Sequence, residues 1–283
     1  MGETKTESVI PILRCISEAA RFAGSSRVVS VTEQQRSFLK RFVPFIKESD
    51  SPFVDGLADK DAEVINSWLK DKGFDIRLEN TSGGGFSVAS VLDVLVEWAG
   101  EASASNLLRH EKTYPAVKLS NGADMCRLAD GNFFLRLKTK SDVFVNIAMT
   151  GKPDLSDWGI HSAVKSIENK KATSSAFSVD VFFPMISFDE CPDISFLRGM
   201  KTGGFFVDKA VQQNRFRMNE KGARAQSAAA MTCRSMSFRS SPVIWINEPF
   251  LLWITETGKD LPLFCGWFDE DSWKEPSDLN QAR

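Results

Sequence analysis

Asn219-Glu220-Lys221-Gly222-Ala223-Arg224-Ala225-Gln226-Ser227-Ala228-Ala229-Ala230 is the stretch whose reading decides the fold. It opens on an acidic-Gly turn and continues in small residues. Taken alternately, Ala223, Ala225, Ser227, Ala229, Met231 and Cys233 make one small or apolar face. Arg224, Gln226, Ala228, Ala230, Thr232 and Arg234 make a more polar one. A period of two is that of a half-buried strand. Side chains this small bury little area, and at about 25 cal/mol per Å² they gain only weakly from joining a sheet. Such a segment suits an exposed loop in one state and an added strand in another.

The chain around it is that of a globular protein. Its 283 residues are 42% hydrophobic and 25% charged, enough for a large core. The net charge of -2 carries no global footprint for nucleic acid. No run of eighteen apolar residues appears, so no membrane-crossing helix is expected. The start, Met1 to Glu7, is polar and of mixed charge, and Arg14, Glu18 and Arg21 interrupt the apolar stretch after it. That is unlike a secretory signal and points to the cytoplasm. Cys15, Cys126, Cys191, Cys233 and Cys265 form no C-x-x-C pair and read as free thiols.

Helix and strand signals alternate along the chain. Val9, Ile12, Leu13, Ile16, Ala19, Ala20 and Ala23 place a helix over 8–23. Thr32 and Gln35 form a capping box for a second, which Pro44 bends or ends. Asp61 caps a third, and Gly73 stops it. Residues 86–98 read as one long buried element. Short strands follow at 116–119, 132–137 and 143–148, then a helix over 154–169, a strand over 177–186, a short helix over 194–200 and a strand over 210–218. The absence of a repeat or linker gives one domain, 1–283.

The small-residue segment and its surroundings resemble the reactive-centre hinge of the serpins. Asn247-Glu248-Pro249-Phe250-Leu251-Leu252-Trp253-Ile254 is similar to the strand after that family's reactive loop. Leu261-Pro262-Leu263-Phe264-Cys265-Gly266-Trp267-Phe268 is similar to its last strand, and Val64-Ile65-Asn66-Ser67-Trp68-Leu69 to the helix over its main sheet. The resemblance implies an α+β fold. A large, mainly antiparallel sheet would carry a second, smaller sheet and packed helices. A usual serpin is roughly a hundred residues longer, so the N-terminal helices are expected to be reduced. Val9-Ile10-Pro11-Ile12 stands where the family has a serine-bearing motif, and Gln212 where it has a His. Both normally hold the sheet's opening point together. The resemblance also makes residues 86–98 the central strand beside which a loop would insert.

The same resemblance assigns a reactive loop over about 220–246, with Glu220, Gly222, Ala223, Ala225 and Ala228 as hinge. The seventeenth residue counted from Glu220 is Met236, the expected bait residue, with Ser237 following and Arg234 and Arg239 as flanking cuts for trypsin-like proteases. The implied activity is inhibition of a serine or cysteine protease, with no catalytic group, cofactor or metal. The expected partner is a protease, with neither nucleic acid nor membrane.

A second reading comes from composition. There are 22 Phe and 7 Trp but one Tyr, Tyr114. Either the core is Phe-rich, or an aromatic-lined pocket takes an apolar small molecule and, with a buried carboxylic acid, cyclises a terpenoid-like polyene. The candidate acids are Asp59 and Asp61, Asp189 and Glu190, and Asp269, Glu270 and Asp271 beside Trp267 and Trp273. Solvated surface and helix caps are the simpler account of them. His110 and His161 read as surface residues. No H-E-x-x-H, G-x-S-x-G, phosphate loop or dinucleotide fingerprint occurs.

Overall fold

A computed structural model describes residues 5–25, 27–80, 85–94, 96–170, 177–223 and 242–276. The chain begins with β1 (Thr6–Glu7), α1 (Val9–Phe22), β2 (Val28–Val29), α2 (Glu33–Phe42) and a 3-10 turn at Val43–Ser49. β3 (Val54–Asp59), α3 (Ala62–Asp71), β4 (Ser87–Leu92) and β5 (Val96–Glu97) follow. Then come β6 (Glu101–Arg109), β7 (Lys112–Arg127), β8 (Phe133–Lys138), β9 (Val143–Met149) and α4 (Gly159–Glu168). The C-terminal part holds β10 (Phe177–Pro184), β11 (Ile186–Glu190), β12 (Lys201–Thr202), β13 (Phe205–Phe206), β14 (Asn214–Asn219) and β15 (Gly222–Ala223). It ends with β16 (Val243–Trp245), β17 (Phe250–Glu256) and β18 (Phe264–Phe268).

These strands make the expected α+β architecture. The nine-stranded sheet runs β1-β18-β17-β9-β8-β7-β10-β16, with β6 also on β7, and among the described residues its one parallel pair is β10 with β16. A four-stranded sheet runs β11-β14-β15-β5, beside a three-stranded sheet (β13-β12-β2) and the β3-β4 pair. β17 and β18 form within 247–256 and 261–268, where the resemblance implies strands. Phe250, Leu252, Phe264 and Phe268 enter one core, and Leu251, Trp253, Cys265 and Trp267 a second. That split of alternate residues is what a strand buried on both faces produces.

The helices follow their signals closely. Thr32 accepts from the Gln35 N–H while the Gln35 side chain accepts from the Thr32 N–H, closing the capping box. α2 ends at Phe42, and the segment with Pro44 turns tighter as a 3-10 helix. Asp61 caps α3. α1 buries Val9, Ile10, Ile12, Leu13 and Ile16, and packs chiefly against β3, β4 and the 3-10 turn. Four α-helices occur among the described residues, two of them before β3.

Three expectations are corrected. Residues 86–98 are not one element. The Asp93 N–H still bonds the Phe53 carbonyl in register with β3, and past it the chain leaves that partner, so β4 lies on β3 and β5 in the four-stranded sheet. The helix placed over 154–169 starts at Gly159, because Asp157 and Trp158 adopt left-handed φ of 45° and 64°. β6 is an unforeseen strand: Glu101-Ala-Ser-Ala-Ser-Asn106 is mostly exposed and lacks the apolar alternation that marks one, yet it pairs with β7 over its whole length.

Candidate functional site

β14 and β15 form a tight hairpin. Met218 pairs with Ala223 and Asn219 with Gly222 across a turn at Glu220 and Lys221. Asn219 Oδ1 accepts from the Lys221 N–H at 2.8 Å, as an Asx turn requires. The other edge of β15 pairs with β5, Gly222 opposite Glu97 and Ala223 opposite Val96. Gly222 and Ala223 therefore sit inside the four-stranded sheet. Trp98 Nε1 donates to the Asn219 carbonyl at 2.9 Å and pins the turn from the β5 side.

Gly222 is required here by geometry. Its φ is +147°, and a Cβ would stand 2.1 Å from the Val96 carbonyl oxygen. Ala223 is 2% exposed, so its small side chain suits the core it enters. Glu220 is half-buried at the turn. Ala225, Ala228, Arg234, Met236, Ser237 and Arg239 lie outside the described residues. The chain is next described at Pro242, and β16 then forms the edge of the nine-stranded sheet, with Trp245 stacked on Phe182 at 3.9 Å.

Beyond Ala223 lies an apolar cleft. Among the described residues, β4 pairs only with β3, and Asn214–Arg217 pair only with β11. Residues 88–94 and 210–217 line opposite walls of a cavity of about 200 Å³, and α1 contributes Pro11, Ile12, Cys15 and Ile16. Ala223 also lines it. The lining is chiefly aliphatic, with Phe74, Phe216 and Phe264 and no Trp or Tyr. Ser8, Ser90 and Thr202 bring hydroxyls to it.

Two amide side chains tie the start of β14 to the N-terminal segment. Gln212 Nε2 donates to the Ser8 carbonyl at 2.9 Å, and Asn214 Nδ2 to Thr6 Oγ1 at 3.0 Å. Thr6 Oγ1 in turn donates to Glu190 at 2.7 Å, and the same carboxylate accepts the Lys5 and Thr6 N–H groups. At the position noted for its missing His, Gln212 keeps a tie by another route. Sequence alone gave no sign of the Thr6–Asn214–Glu190 contact, because its partners are some 200 positions apart.

The acidic candidates are spent elsewhere. Asp59 accepts from the Asp61 N–H, and Asp61 from that of Glu63. Asp189 pairs with Arg215 at 2.7 Å, Asp269 with Lys5 at 2.8 Å, and Glu270 with Arg109. Asp271 stands 3.8 Å from Lys5. None of them lines the cavity, whose one acid among the described residues is exposed Asp93. His110 is exposed in the β6–β7 turn, as expected. His161 is not on the surface: it is 4% exposed in the first turn of α4, with Nδ1 3.2 Å from Arg41. Beside it, the Glu7 carboxylate accepts the His161 N–H at 2.7 Å and the Ile160 N–H at 3.2 Å. Burial pushes Glu7 up to about 7 and His161 down to about 4.

Residues 166–269 match the family model for serpins, the serine protease inhibitors. They run from the end of α4 through the β14–β15 hairpin to the close of β18. That stretch, the C-terminal part of the chain, is similar to the serpins. Its fold is similar to that of Serpin48, a highly specific serpin of the insect Tenebrio molitor, with a TM-score of 0.59 at 12% identity, covering 94% of this chain and 92% of that one. Human thyroxine-binding globulin, solved in complex with its hormone, aligns with the same score, identity and coverage. Uncleaved ovalbumin aligns at 0.57 and 13%, covering 93% and 92%. No curated protein matches the chain by sequence.

Proposed function

We propose that residues 1–283 form one serpin-type unit that inhibits a serine or cysteine protease through the loop after Ala223. The observation that carries this is the seating of Gly222 and Ala223 between β14 and β5, at the head of a cleft flanked by β4 and β14. A strand continued from β15 runs into that cleft. In this reading the protease nucleophile attacks the carbonyl carbon of Met236 and the amine of Ser237 leaves. The freed segment then adds to the sheet while still esterified to the protease. Each added residue gains ladder hydrogen bonds and modest apolar burial. Alternate small residues from Ala223 onward meet the requirement for a strand that enters between packed walls.

The test is to mix the protein with trypsin-like and chymotrypsin-like proteases and run denaturing gels. A band at the summed mass, stable to boiling in detergent, is expected for at least one. Cleavage without such a band for every protease tried overturns the inhibitor reading.

A second reading has one observation in its favour: the cavity of about 200 Å³ itself. It supports a binder of an apolar small molecule. No buried carboxyl group lines the cavity among the described residues, so binding, and not cyclisation, is the form of that reading carried forward.

A further inference from the structure

The cavity between α1, β4 and β14 is apolar inside and cationic around its rim. Ile12, Ile16, Leu69, Val91, Phe216 and Phe264 are among its apolar lining. An apolar cavity of about 150 Å³ lined by such side chains already takes up a benzene-sized molecule. Five cations also line it: Lys72, Lys201, Lys209, Arg215 and Arg217. Asp93 is the one acid among the lining residues. Lys72 is paired with Asp55 at 2.6 Å, and Arg215 with Asp189 and Asp75. Lys201 and Lys209 are exposed. Lys201 has no ion-pair partner among the described residues, and Lys209 reaches Glu79 only at 4.0 Å.

An apolar interior with an excess of positive charge at the opening matches one class of small molecule: an apolar body ending in an anion. We infer that this cavity binds an amphipathic acid, its apolar body between β4 and β14 and its carboxylate at Lys201 and Lys209. Charge complementarity selects the acid over an alcohol or amine of equal length. Buried apolar area supplies most of the affinity, at about 25 cal/mol per Å², and the exposed ammonium groups add a smaller, salt-sensitive part. The inference deepens the small-molecule reading and rests on it. The cavity is the cleft that the loop after Ala223 would enter, so a bound acid and an inserted loop would exclude each other, and the test uses the uncut chain.

The test compares decanoate, decanol and decylamine as ligands of the full chain by titration calorimetry at low salt. The expected order is decanoate tightest, decanol about five-fold weaker and decylamine weaker still. Lys201→Glu with Lys209→Glu, both on the surface, is expected to lower decanoate affinity about ten-fold and leave decanol unchanged. Ala89→Trp, which fills the cavity from β4, is expected to abolish both. Equal affinity for all three ligands, or decanoate binding indifferent to the lysine changes, overturns the assignment to acids and leaves a general apolar cavity. No binding of any of them at millimolar concentration overturns both.

Discussion

Trp98 holds the carbonyl of Asn219 by a 2.9 Å hydrogen bond from its indole N–H, and through it the β5 side of the small sheet grips the turn at Glu220 and Lys221. Both groups are buried, so neither has water as a substitute partner. Trp98→Phe keeps most of the ring packing, including the edge contact with Phe183, and deletes the donor. The expected cost is about 1–2 kcal/mol in urea unfolding. Limited proteolysis is expected to cut the Glu220–Ala223 turn sooner in the variant. Unchanged stability and an unchanged digestion pattern would mean that the bond does not hold the turn.

Gly222→Ala tests the seat of β15. The added methyl meets the Val96 carbonyl at 2.1 Å and the backbone stands at φ +147°, so strain is unavoidable while the strand stays in place. The expected loss is about 2–3 kcal/mol. Amide exchange is expected to rise at Ala223 and at Val96–Glu97, whose cross-strand pairing is broken, and to stay constant in β17 and β18. Equal protection of β15 in the variant would contradict the placement of Gly222 and Ala223 in the sheet.

Glu7 and His161 give stability two opposing slopes with pH. Glu7 titrates near 7 in the folded chain against 4.5 ordinarily, so the folded state holds more protons across that window and stability falls as pH rises through it. His161 titrates near 4 against 6.5, so the folded state holds fewer and stability rises with pH from about 4 to 6.5. In the wild type the two nearly cancel between about pH 4.5 and 6.5. Glu7→Gln removes the falling slope and keeps an oxygen acceptor for the α4 N–H groups. Its urea midpoint is expected to climb between about pH 4.5 and 6.5 while that of the wild type stays level. Parallel curves for the two proteins would show that Glu7 is ionised at the ordinary carboxylate value.

Asn214→Ala removes the amide that donates to Thr6 Oγ1 and leaves that hydroxyl with its bond to Glu190 alone. About 1–2 kcal/mol of stability is expected to be lost. Thr6→Val deletes the bond to Glu190 as well and should lose more, and the double variant should lose less than the sum of the two single losses, because the two changes share one contact. Strict additivity of the two losses would show that the residues act separately.

The parts of this fold that were legible in the sequence are those with local signals. Thr32 with Gln35 and Asp61 each announce their element within a few residues, and the stretches at 247–254 and 261–268 announce theirs through the family resemblance. The Asn219–Gly222 turn was equally plain, since Asn, an acidic residue and Gly in that order favour a tight hairpin. β6 was hidden because its side chains are polar and its support is the long neighbour β7. The break past Asp93 was hidden because the apolar pattern runs on across it. His161 carried no mark of burial: its place is set by Arg41 from α2 and Glu7 from β1, which meet it only in three dimensions. The same holds for the cavity, whose walls come from residues 11–16, 69–78, 88–94 and 210–217.

The central claim is that the loop after Ala223 enters the cleft between β4 and β14 once it is cut. The most direct measurement is the melting temperature before and after a single trypsin cut at Arg234 or Arg239, located by mass spectrometry. About a dozen new strand residues at about 1 kcal/mol each, with about 2 °C per kcal/mol for a chain of this size, predict a rise of about 20 °C or more. A cut chain that melts at or below the temperature of the intact one would contradict the claim.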